Sequence, residues 1–217
     1  MDQPPPQSTA HTRAGVHVAV DVAHVGALWT RDPELSWEAL NQLDDLIETM
    51  LDDFDGELVD VPGEAFIAHF SSVAGAVMWC ARMQEGLLTL DWPATLSANF
   101  DASGAPDMLF GGLLARMAIH QGHLDTLRVL MTLSSPGQVL ISADTWDTVD
   151  AETPPDLQVS PLGTTQLPDR PLAICQIPTR LLSRRRFPPL PARTSRLPAE
   201  PDCFVGRLAA LADLRER

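Results

Sequence analysis

Lysine is absent from this 217-residue sequence, and all 15 of its basic residues are arginine. Without lysine, the chain cannot contain a Gly-Lys-Ser or Gly-Lys-Thr phosphate-binding loop. The chain also has 29 acidic residues, which give it a formal net charge of -14 at pH 7. Because an acidic globule repels nucleic acids and anionic membrane surfaces, we expect that this domain binds neither directly.

Cysteines and long apolar runs are also scarce. The three cysteines, Cys80, Cys175 and Cys203, form no Cys-x-x-Cys pair, which argues against a disulfide framework and against a zinc site. No apolar run approaches the roughly 18 to 20 residues of a membrane-spanning helix. Residues 1–15 are polar and proline-rich and lack a secretory signal pattern, so they are predicted to be a disordered leader. These features predict a cytoplasmic protein.

The charge of the chain changes sign near residue 180. Before Arg180 there are 6 arginines against 25 acidic residues (net -19), and from Arg180 onward there are 9 against 4 (net +5), which sum to the formal charge of -14. Three arginines at 184–186 and the Pro-Pro-Leu-Pro at 188–191 predict a solvated linker over residues 179–203. Residues 204–217 resemble the start of a further helix that is cut off, so the main domain is predicted over residues 16–178.

Hydrophobic periodicity predicts alternating strands and helices within that domain. The predicted strands are 16–22, 57–61, 65–70, 113–119, 138–141, 157–162 and 172–177. The predicted helices are 37–54, 71–90, 125–133 and 143–149, and the first of them has a start signal at 32–34. Residues 91–112 are predicted to be a long loop. This order predicts an α/β (α+β) sandwich in which helices flank a central, mostly antiparallel sheet.

Two carboxylates interrupt segments that are otherwise apolar. Asp21 ends the first predicted strand, and Glu64 lies at the tip of the predicted hairpin around Pro62-Gly63. Two carboxylates on neighbouring strands can hold a pair of divalent cations against a triphosphate. The alternative for Asp21 is a strand-end acid that is satisfied by a helix N-terminus.

Several segments resemble the class III nucleotidyl cyclase catalytic domain. They occur in the family's order along residues 16–178: Val-Ala-Val-Asp-Val at 18–22, Gly-Ala-Leu-Trp at 26–29 and Arg-Asp-Pro-Glu at 31–34; the hairpin at 56–66; Arg-Met-Ala-Ile-His-Gln-Gly at 116–122; Pro-Gly-Gln-Val-Leu-Ile-Ser at 136–142; and the closing hairpin at 162–171. The resemblance implies a ferredoxin-like cyclase homology fold, Mg²⁺ or Mn²⁺ held by Asp21 and Glu64, and a nucleotide ligand. It also implies a head-to-tail homodimer, because the family's sites form between two such domains.

The same resemblance exposes three departures at functional positions. Asp60 stands at the base-recognition position, where the family has lysine, and Asp125 and Val129 fall at the asparagine and arginine positions of the helix after Gly122. Arg128 is adjacent to Val129 but points about 100° away on a helix. Loss of one transition-state donor costs on the order of 100- to 1,000-fold in rate. The sequence therefore indicates that no intact catalytic set remains.

His120 and His123 are a further candidate pair for a metal site. Two histidines without a third ligand are weak evidence for a metal, and His120 matches a strand position of the family pattern. We therefore interpret His120 as a structural residue.

The favoured interpretation is a degenerate, inactive cyclase homology domain that acts as a regulatory, sensor or dimerisation module in a signalling protein. Leu197-Pro198 and Phe204-Val205-Gly206-Arg207 resemble the entry to a signal-transduction ATPase, as found in transcription regulator fusions. One alternative is an active adenylate or guanylate cyclase, a phosphorus-oxygen lyase that converts ATP or GTP to cyclic nucleotide and pyrophosphate. A second is a scaffold domain without a ligand.

Overall fold

The computed structural model describes residues 15–23, 25–59, 66–93, 96, 112–149, 157, 159–178 and 183–190. The strands are β1 Val16–Val22, β2 Gly56–Val59, β3 Phe66–Phe70, β4 Ala115–Gln121, β5 Val139–Ser142, β6 Ser160–Gln166 and β7 Pro171–Gln176. The helices are α1 Val25–Arg31, α2 Pro33–Asp53, α3 Val73–Gly86, α4 Leu124–Leu133 and α5 Ala143–Trp146.

The described strands form one sheet in the order β2-β3-β1-β4-β5-β7-β6, with β2 and β6 at its edges. All neighbouring strands run antiparallel except β4 and β5, which run parallel. A parallel pair needs a crossover connection, and α4 supplies it. The predicted mixed fold with a mostly antiparallel central sheet is thereby confirmed.

Helices cover both faces of the sheet, because side chains alternate along each strand. Val16, Val18 and Val20 of β1 belong to a core cluster shared with buried residues of α2 and α3. Ala19 of the same strand belongs to a second cluster, which includes Leu127 and Leu130 of α4. The sheet therefore lies between α2 and α3 on one face and α4 on the other.

The sequence signals for the starts of the two long helices are confirmed. Asp32 caps α2, accepting a hydrogen bond from the Leu35 amide at 3.1 Å, and Pro33 follows in the first helical turn. Ser72 caps α3 in the same way, with its Oγ 3.0 Å from the Gly75 amide. Such caps satisfy amides that have no partner within the helix.

Several elements differ from their predictions. The helix predicted over residues 71–90 ends at Gly86. Helix α1 was not predicted, because it has only seven residues and none of them is buried, so it shows no apolar period. Helix α5 ends at Trp146, earlier than predicted. Strand β6 lies several residues later than predicted. Its pairing with β7 is irregular between Pro161 and Gly163, and an edge strand tolerates both residues.

Other predicted segments lie outside the described residues. They comprise the leader through residue 14, the hairpin turn at 60–65, most of the loop at 91–112, and residues 191–217. Within the linker, residues 183–190 are described, and the predicted solvated spacer is wrong for Arg185. Its side chain is buried against the domain, being only 6% exposed.

Candidate functional site

An ion pair between Asp21 and Arg116 lies at one end of the sheet. The two residues are direct partners in the antiparallel register of β1 and β4. Arg116 donates from Nε and Nη2 to the same carboxylate oxygen of Asp21, Oδ2, at 2.8 and 2.5 Å. The side chains are only 28% and 20% exposed, so solvent screens the pair less than an exposed one.

The sequence allows two interpretations of Asp21, a metal ligand and a strand-end acid satisfied by a helix N-terminus. The partner that the structure shows for Asp21 is a guanidinium, which neither interpretation named. Because both donors contact Oδ2, the other carboxylate oxygen, Oδ1, takes no part in the ion pair. Asp21 can therefore hold a cation through Oδ1, provided that further ligands are supplied.

The hairpin that carries Glu64 and Asp60 arises from the same end of the sheet. Strand β2 ends at Val59 and β3 begins at Phe66, and Phe66 is the partner of Val20, one residue before Asp21. Glu64 and Asp60 themselves lie outside the described residues. Among the residues that are described, no three His, Cys, Asp or Glu side chains come together as a metal site. The second metal ligand stays a prediction.

Helix α4 carries the two residues predicted to replace the family's asparagine and arginine. The Asp125 carboxylate is 89% exposed and accepts from Arg128 Nη1 at 2.7 Å, one helical turn away. Val129 packs at the margin of the second core cluster. The helix thus presents a carboxylate and an isopropyl group at these positions, and the neighbouring guanidinium is engaged with Asp125.

A row of three histidines crosses the sheet at the end opposite Asp21. His17 is the register partner of His69 on β3 and of His120 on β4. The rings of His17 and His69 meet edge to face, with centroids 5.3 Å apart, and the Glu57 carboxylate on β2 lies 3.4 Å from His69 Nδ1. All three histidines are at most 8% exposed.

Burial favours the neutral form of the His17 and His120 imidazoles. Burial, Arg170, His123 and His17 together lower the pKa of His120 from 6.5 to about 4, although the Asp144 carboxylate opposes the shift. Burial and the neighbouring His69 also lower the pKa of His17. Within the described part of the chain, neither His17 Nδ1 nor His69 Nε2 has a hydrogen-bond partner.

His120 itself has a clear structural role. Its Nδ1 lies 2.8 Å from Ser142 Oγ, which in turn lies 2.7 Å from Thr145 Oγ1. Thr145 Oγ1 also accepts from the Gln121 amide at 2.9 Å. These bonds join the end of β4 to the junction of β5 and α5, as expected for a satisfied core histidine. His123 precedes α4 without a side-chain cap bond.

Sequence reasoning missed three features of the structure. Arg116 was seen only as the first residue of a motif, although antiparallel pairing of β1 with β4 would have placed it beside Asp21. The histidine row joins residues 17, 69 and 120, whose adjacency depends on the register of three strands. The buried Arg185 stands in a run of three arginines, and the sequence does not distinguish it from the two exposed ones.

Comparison with known proteins assigns the fold. An adenylate cyclase of Trypanosoma brucei, solved in its monomeric state, superposes with a TM-score of 0.69 and 19% identity, covering 81% of this chain and 91% of that one. The non-canonical dimeric guanylyl cyclase domain from Blastocladiella emersonii superposes with a TM-score of 0.55 and 12% identity, covering 76% and 96%. The fold is that of a nucleotidyl cyclase domain.

Sequence similarity points to the same group of proteins. The adenylate cyclase of Podospora anserina is 33% identical to this chain over 109 residues, which are 48% of this chain and 5% of that protein. The chain is homologous to adenylate cyclases over that segment, and the match spans a small part of their length. No family model matches the chain. None of the described helices has the length and apolar composition of a membrane span.

Proposed function

We propose that this cyclase-like domain binds a metal-nucleotide complex without efficient turnover and serves as a regulatory or sensor module of a signalling protein. The observation that carries the proposal is the surface of α4. Asp125 and Val129 stand there at the two positions where the family resemblance implies an amide and a guanidinium.

Cyclisation of a nucleoside triphosphate requires positive groups and hydrogen-bond donors around the α-phosphorus as charge develops there. The Asp125 carboxylate repels such charge, and the Val129 side chain has no donor. Arg128 does not replace the missing guanidinium, because it points about 100° away from Val129 around the helix. With a loss on the order of 100- to 1,000-fold for each missing donor, little turnover is expected.

The retained groups favour binding over complete loss of the site. Asp21 keeps Oδ1 outside its ion pair, and together with Glu64 it would hold Mg²⁺ or Mn²⁺. When bound, such an ion would neutralise part of the triphosphate charge. Arg116 lies beside Asp21, so its guanidinium is a second positive group at the same end of the sheet.

A thermal-shift screen tests the binding proposal. Mn²⁺ alone, ATP, GTP, and each nucleotide with Mn²⁺ are titrated into the full chain, and a ligand at 100 times its dissociation constant stabilises by about 2.7 kcal/mol. We expect the metal-nucleotide shift to disappear in Asp21→Asn. The exposed Asp52→Asn is the matched control, since it removes the same charge on α2, and its shift should equal that of the wild type.

An active adenylate or guanylate cyclase is the second candidate, favoured by the homology to adenylate cyclases and by the retained Asp21. Cyclic AMP or cyclic GMP formed by the wild type with Mn²⁺, and lost in Asp21→Asn but not in Asp52→Asn, would replace the inactive proposal. If no metal or nucleotide stabilises the wild type, the ligand-free scaffold becomes the better account.

We further propose that the domain forms a homodimer and precedes an ATPase segment. Large apolar side chains on the described surface support self-association, since Trp29 and Trp37 are 39% and 52% exposed. Sedimentation equilibrium of the full chain tests the dimer, and a monomer at all concentrations up to about 100 µM would contradict it.

A further inference from the structure

Residues 183–190, which we call the strap, are attached to the domain through the buried Arg185, and Leu190 also packs at the margin of the second core cluster. Arg185 donates from Nη1 to Gln84 Oε1 of α3 at 2.7 Å and to the Gly137 carbonyl oxygen at 3.0 Å. Arg184 and Arg186 on either side of it are exposed. Because burying a cation is costly unless it is hydrogen-bonded, these two bonds specify where the strap docks.

The partners of Arg185 both contact the start of β4. Gln84 is 2% exposed and donates from Nε2 to the Ala115 carbonyl oxygen at 2.7 Å. The Gly137 amide donates to the same oxygen at 3.2 Å. These hydrogen bonds therefore form a closed ring of four residues: Arg185, Gln84, Ala115 and Gly137. Each residue in the ring is bonded to two others.

This set of bonds lies one peptide unit from the candidate site. The carbonyl group of Ala115 belongs to the peptide bond that begins Arg116, and the side chain of Arg116 holds Asp21. The site is on the face of the sheet covered by α4, whereas Gln84 approaches from α3 on the opposite face. The hydrogen bonds of Arg185 thus connect the strap to the backbone beneath the ion pair.

We propose that Arg185 is a positioning residue that anchors the strap and, through Gln84 and Ala115, sets Arg116 against Asp21. Docking of the strap and the geometry of the Asp21–Arg116 pair then favour each other. Because energetic coupling is reciprocal, a ligand that engages Asp21 changes the stability of strap docking, and release of the strap changes the geometry of the pair. Only the ligand part of this coupling rests on the proposed function.

The simpler alternative is that Arg185 is a structural staple with no influence on Arg116. Both accounts predict that loss of Arg185 destabilises the domain, so stability cannot separate them. The side-chain Nε–H of Arg116 separates the two accounts, because it donates to Asp21 at 2.8 Å. It gives its own signal in an NMR spectrum of protein labelled with ¹⁵N-arginine. Asp21→Asn identifies that signal.

The experiment compares Arg185→Gln, Arg185→Lys and the adjacent exposed control Arg184→Gln in the full 217-residue chain. For Arg185→Gln we expect a shifted Arg116 Nε–H signal and hydrogen exchange about 10-fold faster, since a buried bond to a charged donor is lost. Arg185→Lys keeps the charge and one donor, so it should restore part of the effect and provides a folded variant if Arg185→Gln does not fold. Arg184→Gln should match the wild type.

The outcomes separate the two proposals. An unchanged Arg116 Nε–H signal in both folded Arg185 variants would overturn the positioning role, whatever the protein binds. In the coupled case, Arg185→Gln should also weaken Mn²⁺-ATP binding about 5-fold or more, and Mn²⁺-ATP should alter exchange of the strap amides in the wild type. If the Arg116 signal responds while the wild type binds no metal-nucleotide, the proposed function fails and the positioning role stands.

Discussion

Acid should destabilise this domain through the buried His120. Protonation of His120 is disfavoured in the folded chain, where the pKa of its imidazole is about 4, compared with 6.5 in the unfolded chain. As pH falls below 6.5, the unfolded chain binds the proton first, so the free energy of unfolding decreases until pH passes below about 4. Between pH 7 and pH 5 the decrease due to His120 alone is about 2 kcal/mol. His17, whose pKa is also lowered, adds to it in the same direction.

Urea unfolding at pH 7 and at pH 5 measures this loss. The substitution His120→Gln keeps a polar group but removes the titration, so the variant should lose about 2 kcal/mol less than the wild type over the same interval. The exposed His123→Gln removes only one of the smaller causes of the lowered His120 pKa, so it should keep most of the wild-type dependence. Carboxylates titrate in every variant and cancel in the comparison. If His120→Gln and the wild type lose the same stability between the two pH values, the reasoning about burial is refuted.

Two further predictions concern stability at neutral pH. Gly15→Ala should destabilise by about 1 to 3 kcal/mol, since a Cβ there would lie 2.1 Å from His69 Nε2; chemical denaturation measures it, and an unchanged midpoint would mean that the ring moves freely. Ser72→Ala should cost about 1 kcal/mol by removing the α3 cap, whereas the exposed neighbour Ser71→Ala should cost much less, and equal losses would contradict the capping role.

The sequence was sufficient for the parts of the fold that depend on local signals. The caps at Asp32 and Ser72 and the apolar period of α2 and α3 act within one or two helical turns, so they can be recognised from neighbouring residues. The largely apolar run from Val16 to Val22 likewise identifies a buried strand. These local signals agree with one another, as expected for a sequence that specifies one fold.

The candidate site could be predicted only as far as its acidic residue. Asp21 was recognisable because a charge within an apolar strand is costly without a partner. Its partner lies 95 residues further along the chain, and only the register of β1 with β4 brings Arg116 to it. The same limit applies to Arg185, whose bond to Gln84 spans 101 residues, and composition alone does not distinguish it from Arg184 or Arg186.

The two borders of the sheet restrict how copies of this domain can associate. Strand β2 has four residues, including Glu57, and the opposite border, β6, has a proline at position 161 and an irregular register. Short, charged or proline-bearing borders resist the addition of another strand. Strand addition at the borders of the described sheet is therefore disfavoured as a contact between two copies, and so are continuous sheets running through many molecules, the route to fibres.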